Sequence, residues 1–165
     1  MSGARADRPT IRPVVLQRVL LGALAATQTV IGGWALIAPG AFYSGFPAAG
    51  HAWVALLPPY NEHLVRDVGA LSLALAVLLG TAVVVPSRLL VRTAVAAFAV
   101  YSVPHTVFHG LHLEGFSRLD AAAQMGGFTV QVLASGVALW ATAGGGRPRR
   151  HDSNDPSATV SRQPS

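Results

Sequence analysis

Three histidines, His105, His109 and His112, follow one another at helical spacing, four and then three residues apart. On an α-helix those positions form one stripe. Imidazole binds zinc, copper, iron or haem and exchanges protons near neutrality. The stripe is therefore a candidate metal site on His105, His109 and His112, or a proton- or ligand-handling site. Carboxylates are the usual partners that orient such ligands, and Glu114 and Asp120 follow closely, with Gln124 one turn beyond. A second polar group stands upstream in Asn61-Glu62-His63-Leu64-Val65-Arg66-Asp67. There Glu62 precedes Arg66 by four residues, the favourable order for a helical ion pair, and His63 with Asp67 repeats the spacing. The same residues support a structural reading, in which Arg66 pairs with Glu62 or Asp120 and the network closes one end of a bundle. With only 6 histidines, the chain falls short of the His boxes of membrane di-iron oxygenases. No residue pattern fixes a reaction or names a cofactor.

These residues have to be positioned by something, and the rest of the chain is mostly apolar. Of 165 residues, 52% are hydrophobic and 12% charged, about half the charge of an average soluble domain. Four runs approach the roughly 20 apolar residues that span hydrocarbon as a helix. They extend from Val19 to about Ala38, Val68 to Val85, Leu89 to Leu113 and Leu119 to Ala143. Pro39-Gly40, Pro86-Ser87 and Gly144-Gly145-Gly146 punctuate them, as residues that end helices do. Asn61 suits an N-cap after Pro58-Pro59, and Ser117 with Asp120 resembles a capping box. The expectation is an all-α protein, a bundle of four transmembrane helices running up and down. Its domain covers residues 14–143, flanked by disordered cytoplasmic segments at 1–13 and 144–165. The basic start fits a signal peptide, but the first run is longer than an h-region and lacks a small-residue cleavage site.

All 12 basic residues are Arg and there is no Cys. The absence of Cys excludes disulfides, thiol chemistry and Cys-ligated metals. A net charge of +5 does not indicate nucleic acid, because the charges lie in tails and short connections and not on a folded face. They do indicate topology. Ten of the 12 arginines flank the first run, the second connection or the C-terminus; Arg66 and Arg118 are the exceptions. Positive segments stay in the cytoplasm. That predicts a multi-pass protein of the cell membrane with both termini cytoplasmic.

The connection Pro39 to His63 is then extracytoplasmic. It carries Phe42, Tyr43, Phe46, Trp53 and Tyr60, and aromatic residues of this kind settle at headgroup level. Short helical pieces lying on the interface are expected there. Pro104 should bend the third span near the histidines. Gln28 and Gln131 each fall about 15 Å from the nearest helix start at 1.5 Å per residue, near mid-membrane. A hydrogen bond between them is predicted, because first and last spans are neighbours in a simple bundle. Gln124, Gln131 and Ser135 share a stripe that should face inward. Gly22, Gly69, Gly80, Gly126, Gly127 and Gly136 are expected to permit close helix approach.

The stretch from Phe42 to Pro47, then Trp53, then Pro58 through Arg66 to Ala70, resembles a group of small bacterial four-helix membrane proteins of unassigned activity. With Arg66 and Gly69 opening its second span, the chain is also similar to the wider DoxX-like group. That resemblance implies a four-helix bundle over about residues 14 to 143. Some DoxX-like members are linked to quinone or thiol redox chemistry; without Cys the thiol route is closed here. The expectations carried forward are a membrane protein in contact with the lipid bilayer, with a polar cluster at its outer face. Alternatives are a redox enzyme or accessory subunit binding quinone or metal, a small-solute or proton carrier, and a scaffold for a protein partner or a homo-oligomer.

Overall fold

The computed structural model describes residues 13–143 apart from Pro58. The tails expected to be disordered therefore lie outside the described residues, except that α1 already begins at Pro13. Five helices make up this part: α1 (Pro13–Ile37), α2 (Pro39–Gly45), α3 (Glu62–Val84), α4 (Arg88–Leu111) and α5 (Arg118–Ala143). All but α2 are long and apolar enough to cross a membrane. The chain is thus an all-helical up-down bundle, and its composition fits an integral membrane protein. Large apolar side chains such as Val30, Val77, Leu89, Val100 and Leu133 point outward, as they do where lipid is the solvent.

Local chemistry explains the ends. Asn61 caps α3 by accepting a hydrogen bond from the Leu64 N–H at 3.1 Å, which leaves Glu62 in the first turn, where the helix dipole favours an anion. Consequently α3 starts six residues before the apolar run does. Ser87 caps α4 in the same way, accepting from Leu90 N–H at 3.2 Å. Pro39 stops α1 but occupies the first turn of α2, a position where its missing N–H costs nothing. Helix α4 runs on through Pro104 to Leu111.

Around the bundle, α1 neighbours α3 and α5, and α4 neighbours α3 and α5. The tightest contact is α1 on α3. A Cβ on Gly32 would sit 2.8 Å from Gly69 O, and one on Gly69 would sit 2.7 Å from Leu36 N. Those atoms are backbone, so the two helices touch main chain to main chain. Of the glycines expected to permit close approach, only Gly69 does so; at Gly22, Gly80, Gly126, Gly127 and Gly136 a Cβ would meet nothing within 4 Å. Gly32 is the partner that the sequence reading missed. Arg66 fastens the same pair. Its guanidinium bonds the Leu36 carbonyl, one of the end carbonyls that α1 cannot satisfy itself, and pairs with Glu62 at 2.8 Å.

The hydrophobic core occupies one half of the bundle. Leu21 and Leu24 of α1, Leu75 and Leu79 of α3, Val91, Val95 and Phe98 of α4 and Ala138 of α5 form one buried cluster. All belong to the end where α1 begins and α5 finishes, here called the terminal end. The opposite end, which carries α2 and the α1–α3 connection, is the loop end.

Candidate functional site

Where the terminal end is packed, the loop end is hollow. A cavity of about 360 Å³ lies between α1, α3, α4 and α5 beneath α2 and the following turns. Its size falls within the range of small-molecule pockets. Its roof is aromatic: Phe42 meets Trp34 at 5.7 Å and Phe46 at 4.9 Å between ring centroids, and Phe46 meets Trp53 at 6.1 Å. Most of the lining is apolar, with Ile31, Val65, Val68 and Phe128 in the walls.

Much of the polar lining comes from α1, α4 and α5. Gln28, His105, His109, Gln124 and Gln131 all face the cavity. His109 is 8% exposed and Gln124 3%, and His109 Nδ1 lies 3.1 Å from Gln124 Oε1. With the amide oxygen accepting, Nδ1 carries the proton and Nε2 is left as an acceptor. His105 is held by rings and not by hydrogen bonds. It stacks on Tyr101 at 5.3 Å and meets His109 at 4.5 Å and Phe128 at 5.1 Å. Gln28 is 2% exposed, and its Oε1 has no hydrogen-bond partner. The predicted Gln28–Gln131 hydrogen bond is therefore not made. Both residues line the same cavity, but neither amide is bonded to the other.

The remaining cluster residues gather at the loop end without forming one site. His112 leaves the stripe at the end of α4, stacks on Phe108 at 4.1 Å and bonds the Phe108 carbonyl through Nδ1 at 2.8 Å. Among the described residues no group of three or more His, Asp or Glu is placed to hold a metal ion. The three-histidine set thus splits, two into the cavity and one to the surface. His63 and Asp67 are 3.3 Å apart with side chains 86% and 61% exposed, so they form a surface pair, and Glu114 is exposed too. Outside the spans, desolvation and then the Glu62 carboxylate hold the Tyr60 phenol above its ordinary range.

Asp120 does not pair with Arg66 as one reading expected. It anchors the connection that roofs the cavity. Its Oδ1 accepts from Trp53 Nε1–H at 2.9 Å and lies 2.7 Å from His51 Nδ1. Its Oδ2 accepts from Ser117 Oγ at 2.7 Å, while its own N–H donates to Ser117 Oγ at 3.1 Å. The start of α5 and the roof latch thus share one carboxylate, which takes the Ser117 hydroxyl in place of the Ser117 N–H of a full capping box. His51 was not among the candidates, and nothing in its local sequence marks a partner 69 residues away. No family model matches the chain, and neither does any curated protein or solved structure.

Proposed function

We propose that this chain is a multi-pass membrane protein that binds a small, mostly hydrocarbon molecule in the cavity at its loop end. The observation that carries this reading is Gln28: a buried amide that reaches an apolar cavity with its carbonyl oxygen unpartnered. An unpaired buried acceptor costs about 1–3 kcal/mol, and a bundle that needed only to be filled would carry Leu there. The arginine distribution supports cytoplasmic termini, and on that reading the cavity belongs to the outer half of the membrane. Leu64 of α3 and Phe108 of α4 line it yet remain 58% and 42% exposed, which supports entry from lipid past those two side chains. Passage through the bundle is disfavoured, since Leu21, Leu79, Val91 and Phe98 are fully buried across the terminal half.

The test uses N-phenyl-1-naphthylamine, a lipophilic fluorophore, with protein in nanodiscs. Trp53 lines the cavity and serves as energy donor. Saturable transfer is expected, absent from empty discs, and weakened by Gly127→Leu or Val68→Phe. Both positions line the cavity, and at Gly127 a Cβ meets nothing within 4 Å, so the larger side chain has room. Purely linear uptake equal to that of empty discs, or binding indifferent to both fillings, would sink the proposal.

A further inference from the structure

From the chemistry of the cavity wall we infer that the ligand is an uncharged amphiphile whose polar end is a hydroxyl, received by Gln28 and His105. The inference rests on the binding reading above and specifies what is bound. No Asp, Glu or Arg is among the described residues that line the cavity. An ionised group brought there would lose its water without gaining a counter-charge, which costs more than most ligands can recover. An anion or cation is therefore disfavoured.

The polar groups that remain set the other half of the specification. Gln28 Oε1 has no donor and is covered by its surroundings, so a guest meets it only once the amide turns. The terminal torsion of a Gln side chain is broad, so the amide can turn either its oxygen or its N–H₂ to a guest. His105 presents a ring with aromatic neighbours on several sides; neutral imidazole offers one donor and one acceptor. A hydroxyl is the small uncharged group that both donates and accepts, and so answers either residue in either orientation. An ether or a ketone can accept from the Gln28 N–H₂ but never supplies the donor that the Gln28 oxygen lacks. Beside His105 stand Tyr101 and Phe128, surfaces suited to a ring.

Three probes of one shape separate the possibilities: 1-naphthol, 1-methoxynaphthalene and 1-naphthoate. Each is measured by equilibrium dialysis against nanodiscs carrying the full chain, with empty discs subtracted. The alcohol is expected to bind about tenfold or more tighter than the ether, the factor associated with leaving one buried acceptor unpaired. The naphthoate anion is expected to bind least. Gln28→Leu should erase the gap between alcohol and ether while keeping ether binding, and His105→Phe should narrow it. Alcohol and ether binding alike, as they would if bound water already served Gln28, overturns the hydroxyl inference and leaves the cavity reading standing. Naphthoate binding tightest overturns the uncharged specification. A gap that survives in both variants removes Gln28 and His105 from the recognition. If none of the three saturates above empty discs, the binding reading itself falls.

Discussion

Replacing Gly69 by Ala adds one methyl group where α1 and α3 touch. Built on the existing backbone, it would lie 2.7 Å from Leu36 N, 2.9 Å from Gly32 O and 3.1 Å from Ala35 C. None of these atoms belongs to a flexible side chain that could swing away. The helices must therefore separate by several tenths of an ångström along the contact. Overpacking of this kind costs about 1–3 kcal/mol. Separation also draws Leu36 away from Arg66, whose guanidinium bonds its carbonyl. Against that, Ala is a better helix former than Gly by about 1 kcal/mol, a gain that shrinks where the unfolded reference in detergent stays helical. The net expectation is a loss of about 1–2 kcal/mol and a midpoint lower by roughly 3–8 °C, read by tryptophan fluorescence during heating in mild detergent. Gly80→Ala is the matched control, since its Cβ meets nothing within 4 Å; it should be neutral or slightly stabilising. Gly32→Ala should resemble Gly69→Ala, and the double variant should cost less than the two singles together because one separation of the helices accommodates both methyl groups. Equal midpoints for Gly69→Ala and Gly80→Ala would refute the close approach.

Three further outcomes are expected. Gln28→Leu should raise stability by about 1 kcal/mol or more, because it removes a buried acceptor without a partner; a lower thermal midpoint would contradict that. Asp120→Ala should release Trp53 and His51, shift the tryptophan emission to the red and make the α1–α3 connection a protease target; unchanged emission and digestion would show that the latch is dispensable. In a chain without Cys, Ala49→Cys should react with a membrane-impermeant maleimide on intact cells and Val85→Cys should not; the reverse pattern would invert the topology.

The four spans are legible in the sequence because lipid demands long apolar runs, and length alone separates them from strands and loops. Their ends are less so: hydropathy marks where hydrocarbon begins, whereas Asn61 and Ser87 mark where the helix begins. Within a helix, spacing identified Glu62 with Arg66 and His63 with Asp67, since those partners are neighbours in the chain. Between helices it did not. Whether Asp120 met Arg66 or His51 depends on how the α1–α3 connection folds back, and no local pattern records that. Gln28 and Gln131 line one cavity, but position along a helix does not reveal whether two amides on different helices will meet. Gly32 escaped notice because a glycine's meaning depends on what faces it, and Gly22 or Gly136 look the same in sequence.

The joint of bare backbone at Gly32 and Gly69 has a consequence for how the hollow end can accommodate molecules of different bulk. Two of its four walls, α1 and α3, are clamped together by main-chain contact and by Arg66, so they cannot yield independently. The wall across the gap is α4, which makes the sparsest approach to α3 of any adjacent span and lacks one internal hydrogen bond at Pro104. Extra room is therefore gained by deflecting one helix, and the two histidines that face the interior ride on it. Whatever enlarges the chamber also moves its imidazoles.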